Sequence, residues 1–159
     1  FPGGGFEAGV DKSFKDTALR ETFEELGIVK KDIKILGQLD TYMAPIGAII
    51  EPFVARIKKK AYKNMKIDYN EVEKTILIPI SFFKNNKPQE YNLSHEIQPY
   101  KIDETGKKEI LFPVEELGLP DTYKKPWGNK NHKIWVYKYE NELIWGITSV
   151  IINDLLQKY

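Results

Sequence analysis

The sequence has no cysteine among its 159 residues. This absence excludes disulfide bridges and any chemistry that depends on a thiolate, and it fits a reducing compartment. No apolar run approaches the roughly 20 residues that a membrane-spanning helix needs, and no signal peptide is visible. The formal net charge is only +1, so the chain as a whole is not drawn to nucleic acid or membrane. We therefore expect a cytoplasmic protein with neither of these among its partners.

The chain does contain enough apolar material for a core, because 42% of its residues are hydrophobic and 30% are charged. A chain of this length buries a substantial core without a disulfide. No internal repeat is visible, so we predict one globular domain over residues 1–159. The apolar spacing from Ile147 to Leu155 predicts an amphipathic helix over residues 146–158. Strands are predicted at residues 33–40, 48–57, 75–80 and 133–139, and an irregular stretch at 85–105.

The most informative segment is residues 20–28, Arg-Glu-Thr-Phe-Glu-Glu-Leu-Gly-Ile. On a helix, residues three and four apart are neighbours, so Glu21, Glu24 and Glu25 share one face. Like charges repel there unless a divalent cation is shared among them. A solvated acidic face is the plainer alternative. The nearby glycines, Arg20 and the helix end favour a metal site.

The ends of this helix are also visible in the sequence. Ser13 and Asp16 approximate a capping box, and Gly27 fits a left-handed cap. Arg20 can reach Glu24 at the i,i+4 spacing and steady its carboxylate. Upstream, the run Gly3-Gly4-Gly5 allows the backbone to approach a metal or phosphate closely.

These residues resemble the Nudix hydrolase signature, which is Gly, five residues, Glu, seven residues, then Arg-Glu-apolar-x-Glu-Glu-x-Gly-apolar. The second half matches, with Thr22 at an apolar position. The first half departs, because Lys12 stands eight residues before Arg20 and the nearest acid is Asp11, so no metal role is assigned to Asp11. The resemblance implies an α/β (α+β) Nudix fold, an α/β/α sandwich around a mixed β-sheet. Two or three strands normally precede this loop, so we expect a chain that begins partway through the domain.

Three separated runs resemble the coenzyme A pyrophosphatase branch: residues 1–4, residues 70–80 with Asn-Glu-Val and Ile-Pro-Ile, and residues 143–148. This resemblance implies that Glu71, in preference to Glu73, completes the metal shell or acts as a base. The generic alternative is that Glu71 and Glu73 both face water and have no catalytic role.

Trp127 is a candidate for stacking on a nucleotide base. It stands between Pro126 and Gly128, in a segment (112–132) that is predicted to be a loop and therefore exposed. The segment is either a lid or an elaborated surface loop.

The resemblance implies hydrolysis of a pyrophosphate bond in a nucleoside diphosphate linked to another moiety. The ligands of Mg²⁺ or Mn²⁺ would be Glu21, Glu24, Glu25 and the Gly4 carbonyl. The catalytic residues would be Glu24, Arg20 and Glu71. The substrate-binding residues would be Gly3, Gly4, Gly5 and Trp127. Coenzyme A would give adenosine 3′,5′-bisphosphate and 4′-phosphopantetheine. One alternative is another nucleotide substrate, such as ADP-ribose, a dinucleotide or a nucleoside triphosphate. The other is a binding module without turnover. A homodimer is the candidate oligomeric state.

Overall fold

The structure is a computed structural model that describes residues 1–45 and 47–158, with the backbone alone at residues 129 and 130. The helices are α1 (Phe14–Leu26), α2 (Lys59–Lys63), α3 (Ile80–Asn85) and α4 (Gly146–Lys158), with short 3₁₀ helices at Lys30–Asp32 and Asp121–Lys124. The strands are β1 (Ile33–Gln38), β2 (Tyr42–Met43), β3 (Ile49–Ile50), β4 (Phe53–Ile57), β5 (Gln89–Ile97), β6 (Tyr100–Ile102), β7 (Lys108–Ile110), β8 (Trp127–Tyr139) and β9 (Glu142–Trp145).

The carboxylate-bearing helix α1 forms as predicted, and its caps explain its bounds. The Ser13 hydroxyl accepts from the Asp16 N–H at 3.2 Å and donates to the Asp16 carboxylate at 2.9 Å. At the other end Gly27 has φ +65°, and its N–H donates to the Phe23 carbonyl. These two caps fix where α1 begins and ends.

Strands β1 and β4 form an antiparallel ribbon after α1. Ile33 lies opposite Ile57, and the register shifts between Ile35 and Gly37, as expected of a β-bulge. The strand predicted over residues 48–57 is interrupted, because Pro52 lacks an N–H and separates β3 from β4. The strand predicted over 33–40 is confirmed in β1.

The core around the C-terminal helix combines aromatic and aliphatic side chains. Buried Tyr137, Ile144 and Ile152 form its centre. Phe82 and Phe83 of α3 pack against this centre, and the ring centroids of Phe83 and Tyr137 are 5.0 Å apart in an edge-to-face contact. The amphipathic helix predicted over residues 146–158 is confirmed as α4.

Two sequence-based expectations are wrong in this region. Residues 75–79 form no strand, and the helix α3 begins directly after Pro79. A short apolar run indicates burial without distinguishing strand from helix, and Ile76 and Leu77 are in fact exposed. The stretch 85–105, expected to be irregular, contains β5 and β6, and eight of the nine residues of β5 are exposed, so no alternating pattern marked it.

The chain divides into two units: Phe1–Lys87 with Tyr137–Tyr159, and Pro88–Val136. The second unit contains the β6–β7 hairpin and the pairing of β5 with β8. Helices accompany antiparallel sheets, which confirms the predicted α/β class. A single domain over residues 1–159 stays a prediction. In the described ranges, no helix is long and apolar enough to cross a membrane.

Candidate active site

Arg20 is the residue around which the site of the first unit is organised. Its Nη1 donates to a carboxylate oxygen of Glu21 at 2.8 Å and to one of Glu24 at 2.9 Å. Its Nη2 donates to the Gly5 carbonyl at 2.9 Å. The carboxylates of Asp11, Glu21 and Glu24 raise the pKa of Arg20, so the guanidinium stays charged. A single fixed cation therefore joins the glycine loop to the acidic face of α1.

Asp11 is the partner of Arg20 that the sequence did not reveal. Its side chain is 2% exposed, and its two oxygens accept from Arg20 Nε at 3.1 Å and Nη2 at 3.0 Å. It also accepts from the Glu7 N–H and the Thr17 hydroxyl, each at 3.0 Å. The hydrogen bonds from Arg20, then those from Glu7 and Thr17, lower the pKa of Asp11 to about 2.

The loop before α1 explains how an acid one position too early reaches Arg20. The N–H groups of Val10 and Asp11 both donate to the Glu7 carbonyl, and Gly9 has φ +89°. This turn takes up the extra residue and directs the Asp11 side chain inward. The available signal was an acid near the expected position, followed six residues later by Thr17.

The three acids of the predicted metal site have different surroundings. The Glu21 side chain is 12% exposed, whereas that of Glu24 is 50% exposed, although both share Arg20 Nη1. Glu25 accepts from the Gly3 N–H at 3.0 Å. The structure thus brings all three acids to the side of α1 that contacts the glycine loop.

The glycine loop lies directly on these acids. A Cβ atom at Gly4 would overlap the Glu21 carboxylate, whereas one at Gly3 or Gly5 would meet nothing within 4 Å. Only glycine allows the backbone this approach at position 4. The predicted contact between Gly3, Gly4, Gly5 and a ligand remains a prediction.

Glu71 belongs to a segment that is hydrogen-bonded to the end of α1. The Lys66 N–H donates to the Leu26 carbonyl and the Asp68 N–H to the Glu25 carbonyl, both at 2.9 Å. The Glu71 N–H in turn donates to the Asp68 carbonyl at 3.2 Å, in a turn that leaves Glu71 exposed. Glu71 therefore lies in a turn attached to the same helix as Glu25, and its catalytic role stays a prediction.

Trp127 lies in the second unit, where it begins β8 and is half-buried. Its ring packs against Tyr123, with centroids 5.4 Å apart, and against Phe112, at 6.2 Å. The predicted loop over residues 112–132 therefore ends at residue 126, and the expectation that Trp127 is an exposed loop residue is wrong. The proposed contact of Trp127 with a nucleotide stays a prediction.

The profile of the NUDIX domain matches residues 1–139, which include the loop, α1 and the Glu71 turn. The chain belongs to the Nudix hydrolase family, a family of pyrophosphohydrolases. The match confirms the family indicated by the signature, despite the altered spacing at Asp11.

Three relatives of this Nudix chain illustrate the similarity. A Photorhabdus laumondii protein named "uncharacterized Nudix hydrolase NudL" is 28% identical over 99% of this chain and 66% of its own length. Its Yersinia enterocolitica namesake is 27% identical over 99% of this chain and 64% of its own length. The Caenorhabditis elegans peroxisomal coenzyme A diphosphatase ndx-8 is 33% identical over 52% of this chain and 35% of its own length. The chain thus spans less than two thirds of the length of these relatives.

Nudix hydrolases typically depend on a divalent metal. Among the residues that the structure describes, no group of three His, Cys, Asp or Glu side chains is arranged to hold one. The donor chemistry nevertheless fits, because Glu21 and Glu24 converge on one positive nitrogen and the Gly4 backbone lies against Glu21. The acids therefore already share one cationic charge, supplied in this structure by Arg20.

Proposed function

We propose that this Nudix chain belongs to a metal-dependent pyrophosphohydrolase. The substrate would be a nucleoside diphosphate linked to another moiety. The observation that carries the proposal is the convergence of Glu21 and Glu24 on Arg20, directly beneath the glycine loop. An array of fixed charges against a close-lying backbone suits a diphosphate and its counter-ion.

The residues that would hold Mg²⁺ or Mn²⁺ are Glu21, Glu24 and Glu25, with the Gly4 carbonyl. When bound, the ion would neutralise the diphosphate and acidify a coordinated water. Arg20 would align Glu21 and Glu24, because it is itself held by the buried carboxylate of Asp11. The N–H of Gly3, which donates to Glu25 in this structure, would be able to turn to a phosphate oxygen.

In the proposed reaction a water oxygen attacks one phosphorus, and the bond from that phosphorus to the bridging oxygen breaks. A carboxylate takes the proton of the water. Glu24 suits this role because half of its side chain is exposed while Arg20 orients it. Glu71 is the second candidate, since its turn is attached to the carbonyl of Glu25 through Asp68.

Coenzyme A or a derivative is the proposed substrate, with adenosine 3′,5′-bisphosphate and 4′-phosphopantetheine as products. Its support is the 33% identity over 84 residues to a protein named a coenzyme A diphosphatase. Trp127 would offer an aromatic face to a base. Other nucleotides remain the alternative substrates. We further expect a cytoplasmic protein. A homodimer is the candidate oligomeric state.

The test is a substrate panel with the full-length protein. Coenzyme A, ADP-ribose, a dinucleoside polyphosphate and nucleoside triphosphates are each incubated with Mg²⁺ or Mn²⁺, and the products are identified by mass. Release of adenosine bisphosphate from coenzyme A supports the proposed substrate. Turnover of ADP-ribose without turnover of coenzyme A rejects that substrate but keeps the reaction.

Glu24→Gln separates an enzyme from a binding module. An enzyme should lose roughly 10²-fold or more of its rate and keep its ligand affinity. Glu104→Gln, at an exposed position in the second unit, is the matched control and should keep full activity. Ligand binding without turnover by the unaltered protein would establish the binding module instead.

A further inference from the structure

One end of the β1–β4 ribbon carries a concentration of positive charge. We define the basic patch as seven exposed cations in residues 31–63. Its members are Lys31, Lys34, Arg56, Lys58, Lys59, Lys60 and Lys63. Because the net charge of the whole chain is only +1, the rest of the chain is net negative. The near-neutral total therefore conceals a separation of charge.

Backbone pairing brings these residues together. Ile33 lies opposite Ile57, so the 3₁₀ turn before β1 and the helix α2 after β4 lie at the same end of the ribbon. The Lys58 N–H donates to the Asp32 carbonyl at 3.0 Å. Lys59 and Lys63 are one helical turn apart in α2. Cations from the 3₁₀ turn, β1, β4 and α2 thus lie at one end of the ribbon.

The patch has little internal compensation. Among the described residues, its single ion pair joins Lys58 to Asp32 at 2.9 Å. Lys58, with Lys31 and Lys60 farther away, lowers the pKa of Asp32, which places these cations around one carboxylate. In the part of the chain that the structure describes, the other six cations form no ion pair. Lys34 and Arg56 even lie directly opposite each other, a like-charged pair that opposes strand pairing.

We infer that the basic patch docks this protein on an anionic membrane surface, one that presents acidic phospholipid headgroups. Six of the seven cations are lysines, which act as point charges toward a diffuse negative surface, whereas Arg suits bidentate phosphate recognition. Residues 31–36 and 54–63 contain one aromatic residue, Tyr62, and it is half-buried, so the patch lacks the exposed rings that stack on bases. Leu36, two residues from Lys34, is 45% exposed and adds apolar contact. These features favour a lipid surface over nucleic acid.

The experiment measures sedimentation of the full-length protein with two kinds of vesicle, phosphatidylcholine alone and phosphatidylcholine mixed with phosphatidylserine. We expect binding to the mixed vesicles only, and a decline as salt rises from low ionic strength to about 0.15 M. The double variant Lys59→Glu, Lys60→Glu should partition at least about tenfold more weakly. Glutamate is favourable in the first turn of a helix, so α2 should persist, and circular dichroism checks this.

The matched control is Lys107→Glu with Lys125→Glu, which makes the same change in net charge at exposed positions of the second unit. It should bind the mixed vesicles nearly as well as the unaltered protein. Equal weakening by both double variants would overturn the inference, because total charge would then explain the binding. A second patch variant, Lys34→Glu with Lys63→Glu, should behave like the first. Absence of vesicle binding at low salt, or binding to single-stranded polyuridine without vesicle binding, also overturns it.

Discussion

Arg20 donates to both carboxylate oxygens of Asp11, from Nε at 3.1 Å and from Nη2 at 3.0 Å. The remaining nitrogen, Nη1, faces Glu21 and Glu24. Asp11 therefore sets the plane of the guanidinium that aligns two predicted metal ligands. A buried residue that acts through another in this way is a positioning residue.

Asp11→Asn should reduce kcat by about tenfold to a hundredfold, because it removes the negative charge that fixes the orientation of the Arg20 guanidinium. KM should change much less. Steady-state kinetics on the substrate identified by the panel measure both. Glu7→Gln is the control, since its carboxylate is 58% exposed and 3.6 Å from Arg20. Equal losses in the two variants would contradict a positioning role for Asp11.

Acid should weaken the fold partly through Asp11. Its pKa falls from an ordinary 3.8 to about 2 in the folded protein, so the stabilisation is fully present above the ordinary value. As the pH drops from 3.8 toward about 2, Asp11 takes up a proton in the unfolded protein before it does so in the folded protein. The contribution of Asp11 to the free energy of unfolding is therefore lost over this range. Thermal melting at several pH values should show that the melting temperature of Asp11→Asn falls less with decreasing pH than that of the unaltered protein. A decline as steep as that of the unaltered protein would exclude Asp11 as a contributor.

Gly4→Ala should lower activity by roughly tenfold to a hundredfold, because the new methyl group displaces the Glu21 carboxylate. Gly5→Ala adds the same methyl group where nothing lies within 4 Å. Both variants are compared by initial rates at saturating metal. If Gly5→Ala proved as damaging as Gly4→Ala, loop flexibility would be the cause, and not the contact with Glu21.

Lys34→Glu should stabilise the protein by roughly 0.2–1 kcal/mol, because it replaces a like-charged cross-strand pair with an opposite-charged one. Chemical denaturation measures the change in the free energy of unfolding. Adding Arg56→Glu to this variant should remove the gain, since the two positions again carry like charges. A gain that survives in the double variant would show that Lys34 and Arg56 do not interact.

Helix α1 was predictable because its signals are local. The cap at Ser13, the stop at Gly27 and the spacing of the acids all lie within a few turns of one another. The C-terminal helix was predictable for the same reason. Helix caps and helical spacing can be recognised from a short segment of sequence, without knowledge of the tertiary contacts.

The contact of Asp11 with Arg20 was not predictable, because it depends on how the loop turns at Gly9. Strand β5 was also missed, since its order comes from pairing with β8 and its sequence lacks alternation. The apolar run before α3 was misassigned because Pro79 caps a helix there as readily as it would end a strand. Loop geometry decides the first case, pairing with a strand distant in sequence decides the second, and the ambiguity of a short apolar run decides the third.

The two hydrogen bonds from Lys66 and Asp68 to the last carbonyls of α1 have a mechanical consequence. They use acceptors that a helix end leaves open, and so they fasten the turn bearing Glu71 to the residues next to Glu25. A small rotation of the helix would carry both acids along together. Glu25 and Glu71, more than 40 residues apart in the chain, are thus connected through backbone hydrogen bonds at one helix end.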